Sequence, residues 1–143
     1  MAGPPLAVVH FRGHHNVKAT NTMTLEVTKD EFLTPRGDCI IGVMSDMGCG
    51  DLPHEAKGYL MKDGARVRLV VEVAGESFIF HAYGSSSLTL THASSMVIRR
   101  SAYTCPRTLA IRSTAAACDL PRSIVAKLAN GALGALKLYP TDP

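Results

Sequence analysis

Four side chains have the right types for proton transfer: His14, His15, Glu26 and His92. An imidazole and a carboxylate within hydrogen-bond reach form an acid–base pair. Around a phosphate such a pair also needs a cationic clamp. Arginines supply one, because the guanidinium fork fits phosphate oxygens. Arg36, Arg66, Arg68, Arg99, Arg100 and Arg107 are the candidates for contacting nucleic acid. The same residues fit a second description. Gly13-His14-His15-Asn16 is also a polar turn whose side chains cap backbone groups. His10 and His81 fall on strands, where a histidine more often satisfies structure than catalysis. Asp38 can fix a turn, and Asp46 sits at a strand end that suits either capping or chemistry. No metal and no cofactor is expected. Adjacent histidines on extended backbone point to opposite sides, and Cys39, Cys49, Cys105 and Cys118 contain no CxxC pair.

The elements that position these groups follow from alternation and capping. A chain of 143 residues with 46% hydrophobic composition suits one domain with one core. Strands are predicted over 8–12, 22–28, 38–44 and 65–73, then over 78–84, 88–92, 96–101, 108–113 and 135–140. In the fourth, Val67, Leu69, Val71 and Val73 face inward, so Arg66 and Arg68 share the opposite face. Helices are predicted over 51–64 and 119–131. Asp51 and Asp119 cap them, with Pro53 and Pro121 in their first turns and Gly64 and Gly131 as stops.

The halves repeat. An offset of 71 places His10 on His81, Gly13 on Gly84 and Thr20 on Thr91; an offset of 68 places Asp51-Leu52-Pro53 on Asp119-Leu120-Pro121. The units are 6–74 and 77–140, each strand-strand-strand-helix-strand. The expected fold is α+β and β-rich: an internally duplicated, pseudo-two-fold barrel or sandwich with two flanking helices. Gly37-Asp38 resembles the glycine–aspartate turn of cradle-loop barrels. Loops 13–16 and 84–87 would meet across the axis and line one cleft. Cys49 and Cys118 flank the helix starts and would pair if those starts met.

The net charge is +3, which permits nucleic acid without demanding it. Four Tyr, four Phe and no Trp make a base-stacking platform unexpected. The first residues lack the basic n-region of a signal peptide and no run is long enough to span a membrane, so a cytoplasmic protein without a membrane partner is expected. The absence of Gln and the presence of only three Asn match a thermophile composition.

Leu33-Thr34-Pro35-Arg36-Gly37-Asp38-Cys39-Ile40-Ile41-Gly42, Thr24-Leu25-Glu26-Val27-Thr28, Leu88–His92, Val97–Ser101 and Arg107-Thr108-Leu109 together resemble the archaeal family of the domain of unknown function numbered 371. The resemblance covers nearly the whole chain. It implies an archaeal cytoplasmic source and no particular activity. The chain departs from the family pattern at Asn21, expected as His, at Ser85-Ser86, expected as His-Pro, and at Thr114-Ala115, expected as Asp-Lys. Chemistry needing histidines from both halves loses support from these departures.

Three functions fit these residues. The first is a domain that binds nucleic acid, RNA in particular. The second is a small hydrolase such as an endonuclease, acting at a cleft between the repeats. The third is a small-molecule or protein-binding module without catalysis. Oligomeric state, a dimer included, is not written in this pattern.

Overall fold

A computed structural model describes residues 3–141; residues 1, 2, 142 and 143, which include the start of the N-terminal stretch discussed above, lie outside the described residues. The elements run β1 (Ala7–Arg12), β2 (Thr24–Thr28), β3 (Ile40–Gly42), α1 (His54–Leu60) and β4 (Arg66–Val73). They continue with β5 (Glu76–Tyr83), β6 (Ser95–Arg99), β7 (Thr108–Ala110), α2 (Arg122–Ala129) and β8 (Leu133–Thr141). The fold is α+β and strand-rich, and the second five elements follow the order of the first five.

Apolar alternation assembles two four-stranded sheets, ordered β1-β8-β4-β5 and β3-β2-β6-β7. Val67, Leu69, Val71 and Val73 of β4 are buried, as are Leu136 and Leu138 of β8. They join one core with Leu25 and Val27 of β2 and with Met96 and Ile98 of β6. Ala56 and Leu60 of α1, and Ile124, Val125 and Leu128 of α2, bury the apolar faces of the two helices.

The strands do not close into a barrel. The sheets meet at isolated bridges, Arg12 with Val43 and Tyr83 with Ile111. The residues after these bridges, Met44 and Arg112, have left-handed φ of 52° and 51°. That conformation turns the chain out of extended pairing, so each bridge stays isolated and never becomes a ladder.

Three local predictions shift for identifiable reasons. Residues 88–92 alternate, with Leu88 and Leu90 buried, yet form no strand. Leu90 has φ of 52°, and the Thr91 and His92 N–H groups both donate to the Pro106 carbonyl. The strand predicted from residue 22 starts at Thr24, because Asn21 Oδ1 accepts the Met23 and Thr24 N–H groups in a turn. The α-helices start later than predicted. Asp51 and Asp119 close short 3-10 turns, Cys49–Asp51 and Ala117–Asp119, and accept the N–H groups of Gly48 and Ala116. Lys29 pairs with Asp51 at 2.7 Å, and Arg100 pairs with Asp119 in the same way.

Each half interlocks with the other half's helix. The Gly13 N–H donates to Ala132 O and the Gly84 N–H donates to Ala65 O, both at short range. A Cβ on Gly13 would stand 2.0 Å from Leu128 O, and one on Gly84 would stand 2.1 Å from Leu60 O. Backbone cannot yield as a side-chain tip can. Gly13→Ala and Gly84→Ala are each expected to destabilise by about 2–3 kcal/mol or more. Urea midpoints measure this, and Gly58→Ala, where a Cβ meets open space, is the control.

Candidate functional site

Burying one face of β4 in the core turns the other away from it. Arg66, Arg68, Val70 and Glu72 lie on that outer side of the β1-β8-β4-β5 sheet, where Val70 is covered and the other three are half-buried. Pairing register decides what stands beside them. Arg68 lies between His81 of β5 and Tyr139 of β8, and Arg66 lies between Tyr83 and Thr141. The Arg68 guanidinium carbon sits 4.8 Å from the centre of the Tyr139 ring, a cation–π contact. Arg68 Nε is buried without a hydrogen-bond partner. Val70 continues the row between Ile79 and Lys137, and Ile79 is 56% exposed. Glu72 pairs with Lys137 at 2.7 Å, which keeps that carboxylate at the far end. The result is a face whose Tyr83 end is basic and aromatic.

A cleft of about 450 Å³ opens at that end, with Asp63, Tyr83, Ser85 and Arg112 among its lining. Asp63 Oδ1 accepts the Ser86 N–H at 2.7 Å. Hydrogen bonds from Ser86 and Ser85 hold this carboxyl below its ordinary range. Among the described residues the Arg112 side chain makes no hydrogen bond or ion pair, and it does not pair with Asp63 across the cleft.

The residues first considered for catalysis do not assemble. His14 and His15 stack at 4.3 Å, and His14 Nδ1 accepts the Asn16 N–H at 3.0 Å. Asn16 Nδ2 donates to the Leu33 carbonyl. His92 Nδ1 accepts the Ser94 and Ser95 N–H groups at 3.2 and 3.0 Å. Glu26 is buried on the outer side of β2, where Cys39 Sγ donates to its Oε1 at 3.5 Å. Among the described residues no hydrogen bond links Glu26 to these histidines. The two polar loops do not meet either. Gly13 is held by Ala132 and Gly84 by Ala65, next to the starts of β8 and β4. Those strands are antiparallel over eight residue pairs, so the loops lie at opposite ends of the ribbon, about 25 Å apart.

The other arginines are dispersed. Arg100 is engaged by Asp119. Arg36 is exposed in the turn 34–37, and Arg107 is exposed just before β7. Arg99 packs over Tyr103 and donates to Thr108 Oγ1 at 2.9 Å and to Cys105 Sγ at 3.5 Å. All four cysteines are free. Cys49 Sγ donates to the Arg107 carbonyl and Cys118 turns to Asp119, so they do not pair. Among the described residues no group of three or more His, Cys, Asp or Glu side chains gathers as a metal would require. None of their helices is long and apolar enough to cross a membrane.

Sequence reasoning placed Arg66 and Arg68 on one face, read His81 as a structural strand histidine and singled out neither Tyr83, Tyr139 nor Asp63; Arg112 stood out only as an arginine downstream of Arg99 and Arg100. The signal for His81 and the two tyrosines was the alternation of Tyr83 and His81 with buried Ala82 and Phe80, and of Tyr139 with buried Leu138. Only cross-strand register brings them together.

Two measurements follow from these environments. Burial pushes the Cys39 and Cys49 thiols up, to about 11 and about 12. Burial also raises Cys105, but hydrogen bonds from Thr108, the Arg107 N–H and Arg99 outweigh it and bring the thiol down to about 7. Iodoacetamide at pH 7.5 is expected to alkylate Cys105 at least tenfold faster than Cys39 or Cys49, because the thiolate is the nucleophile; peptide mass mapping reads this out. His81 is held below the usual histidine range by burial and then by Arg66 and Arg68. The unfolded chain thus takes up this proton first. The stabilisation is present above about pH 6.5 and is lost as the pH falls through the lower folded value. His81→Gln is expected to flatten that acid limb of a thermal-midpoint profile.

Residues 9–140 match the family described as Domain of unknown function (DUF371). An uncharacterized protein of Methanocaldococcus jannaschii is 41% identical over 124 residues, covering 87% of this chain and 91% of the relative. That relative agrees with the archaeal source implied by the sequence motifs. The chain belongs to the DUF371 family.

Proposed function

We propose that the outer face of the β1-β8-β4-β5 sheet binds single-stranded nucleic acid, RNA foremost. The observation that carries this reading is the gathering of Arg66, Arg68, His81, Tyr83 and Tyr139 on one face. Guanidinium groups bind phosphates, and tyrosine rings and arginine planes stack unpaired bases. A sheet face presents such groups at strand spacing to an extended chain. Exposed Ile79 adds apolar surface beside them. The second reading, hydrolysis by His14, His15, Glu26 and His92, has no shared cluster to support it.

We also infer that 6–74 and 77–140 are two copies of one unit. The repeated element order supports this, as do left-handed Ala19 and Leu90, left-handed Met44 and Arg112, and the paired backbone approaches of Gly13 and Gly84. On this reading the copies have diverged in their outer residues. Tyr83 stands where the first copy has Arg12, and Arg112 where it has Met44.

Fluorescence anisotropy with 12-nucleotide single strands, from low to moderate salt, tests the binding. Affinity is expected to fall steeply with salt. Arg66→Ala with Arg68→Ala is expected to lower the slope of log K against log salt by about 1.4, or about 0.7 for each phosphate no longer neutralised. Lys62→Ala, on the loop after α1, should leave it unchanged. No binding at low salt removes the reading. Intact strands recovered from the same samples would count against hydrolysis.

A further inference from the structure

We infer that the cleft beside Tyr83 is a guanine-binding pocket. It deepens the proposed strand-binding role by naming the base, although the pocket stands on its own geometry.

Asp63 and Arg112 line one cleft of about 450 Å³ without pairing to each other. Opposite charges that share a cleft but do not meet leave room for a group that satisfies both. Asp63 Oδ1 accepts the Ser86 N–H at 2.7 Å, and the Ser85 and Ser86 hydroxyls also turn to this carboxyl; a hydroxyl rotates, so ligand donors can take the places of these two among its roughly four acceptor sites. Its remaining sites accept hydrogen bonds. The Arg112 guanidinium offers only donors. A ligand for both therefore needs two adjacent donors on one edge and two adjacent acceptors on another.

Among the common bases only guanine has that pattern. Its N1–H and N2–H2 groups suit a carboxylate, and its O6 and N7 suit an arginine fork. Adenine would set its N1 acceptor against the carboxylate. Cytosine offers one exocyclic donor beside an acceptor, and uracil offers one donor between two acceptors. Tyr83 gives an aromatic wall and Ile111 an apolar one. The volume lies within the range of small-molecule clefts and accommodates a base with its ribose. Tyr83 also belongs to the basic face, so a base splayed from a bound strand would reach the cleft without crossing the fold.

The backbone adds an independent feature. Arg112 is a non-glycine residue with φ of 51°, held by its N–H donating to the Ser101 carbonyl. The structurally matched position is Met44, with φ of 52°. This backbone thus accepts methionine, which supplies a test variant compatible with folding. Asp63→Asn keeps an acceptor for the Ser86 N–H but presents an NH2 group where guanine also donates.

The experiment is calorimetric titration of the full chain with the four nucleoside 5′-monophosphates, beside anisotropy with a U-only 12-mer. Guanosine monophosphate is expected to bind at least about tenfold tighter than the other three, from the discrimination that a bidentate pair provides. Arg112→Met and Asp63→Asn should each abolish that preference in a chain that still unfolds cooperatively, with Asp63→Asn at a slightly lower thermal midpoint because the ionised carboxyl no longer holds the Ser86 N–H. Equal affinity for the four nucleotides, or a preference that survives in both folded variants, overturns the pocket. Salt-sensitive binding of the U-only strand without a guanine preference would sink the pocket and leave the face standing. A guanine preference without strand binding would sink the face and keep the pocket.

Discussion

The pairing of β4 with β8 is the constraint from which the rest follows. Eight residue pairs, from Arg66 with Thr141 to Val73 with Gly134, set one register across the middle of the sheet. Every second side chain of β4 is a valine or leucine in the core. Burying each contributes about 1.5–3 kcal/mol. A slip by one residue would expose all of them and drive Arg66, Arg68 and Glu72 inward. Burying a charge without a partner costs more than the apolar burial forgone. The outward arginines are therefore a consequence of the core, and their neighbours His81, Tyr83 and Tyr139 follow from the same register.

The ribbon also separates the two ends of the molecule. Because β4 and β8 run in opposite directions, each glycine loop closes on the start of a different strand. Similar backbone devices serve both ends: a glycine against a helix terminus and a left-handed residue after a bridge. The side chains differ. One end has Arg12, His14 and Met44; the other has Tyr83, Ser85 and Arg112. Backbone constraint explains what is common to the ends. It leaves these outer side chains free to differ, and that freedom is where binding chemistry can be carried.

Much of the fold was legible because it rests on local rules. Alternation in β4 and the turn glycines need only neighbouring residues to be read. The face shared by Arg66 and Arg68 was legible for the same reason. Left-handed Leu90 was not, because Leu88-Thr89-Leu90-Thr91 has ideal strand alternation. Its conformation comes from loop 88–92 donating two N–H groups to Pro106, a partner distant in sequence. Asp51 and Asp119 do cap helical turns, but the turns are 3-10 rather than α, since both kinds of turn use the same capping residue. The basic-aromatic face was half legible: each strand's parity was readable, while the neighbours of each strand depended on an order, β1-β8-β4-β5, that joins both chain ends.

The histidines show why residue type alone overstates chemistry. His14 and His92 use one device: Nδ1 accepts the backbone N–H two residues ahead. An imidazole that accepts at Nδ1 carries its hydrogen at Nε2 when neutral. Nδ1 of each is thereby committed to holding a turn. Asparagine or serine can serve such a turn, and Ser85 Oγ accepts the Ser87 N–H in this way where the first half has His14. A side chain replaceable by a hydroxyl acceptor has a structural reason to be there. Tyr83 and Arg112 lack that explanation. Tyr83 needs no ring to make its bridge to Ile111, and Arg112 needs no guanidinium to occupy its turn. Side chains exceeding what the backbone requires, on one face beside one cleft, are the stronger basis for assigning binding.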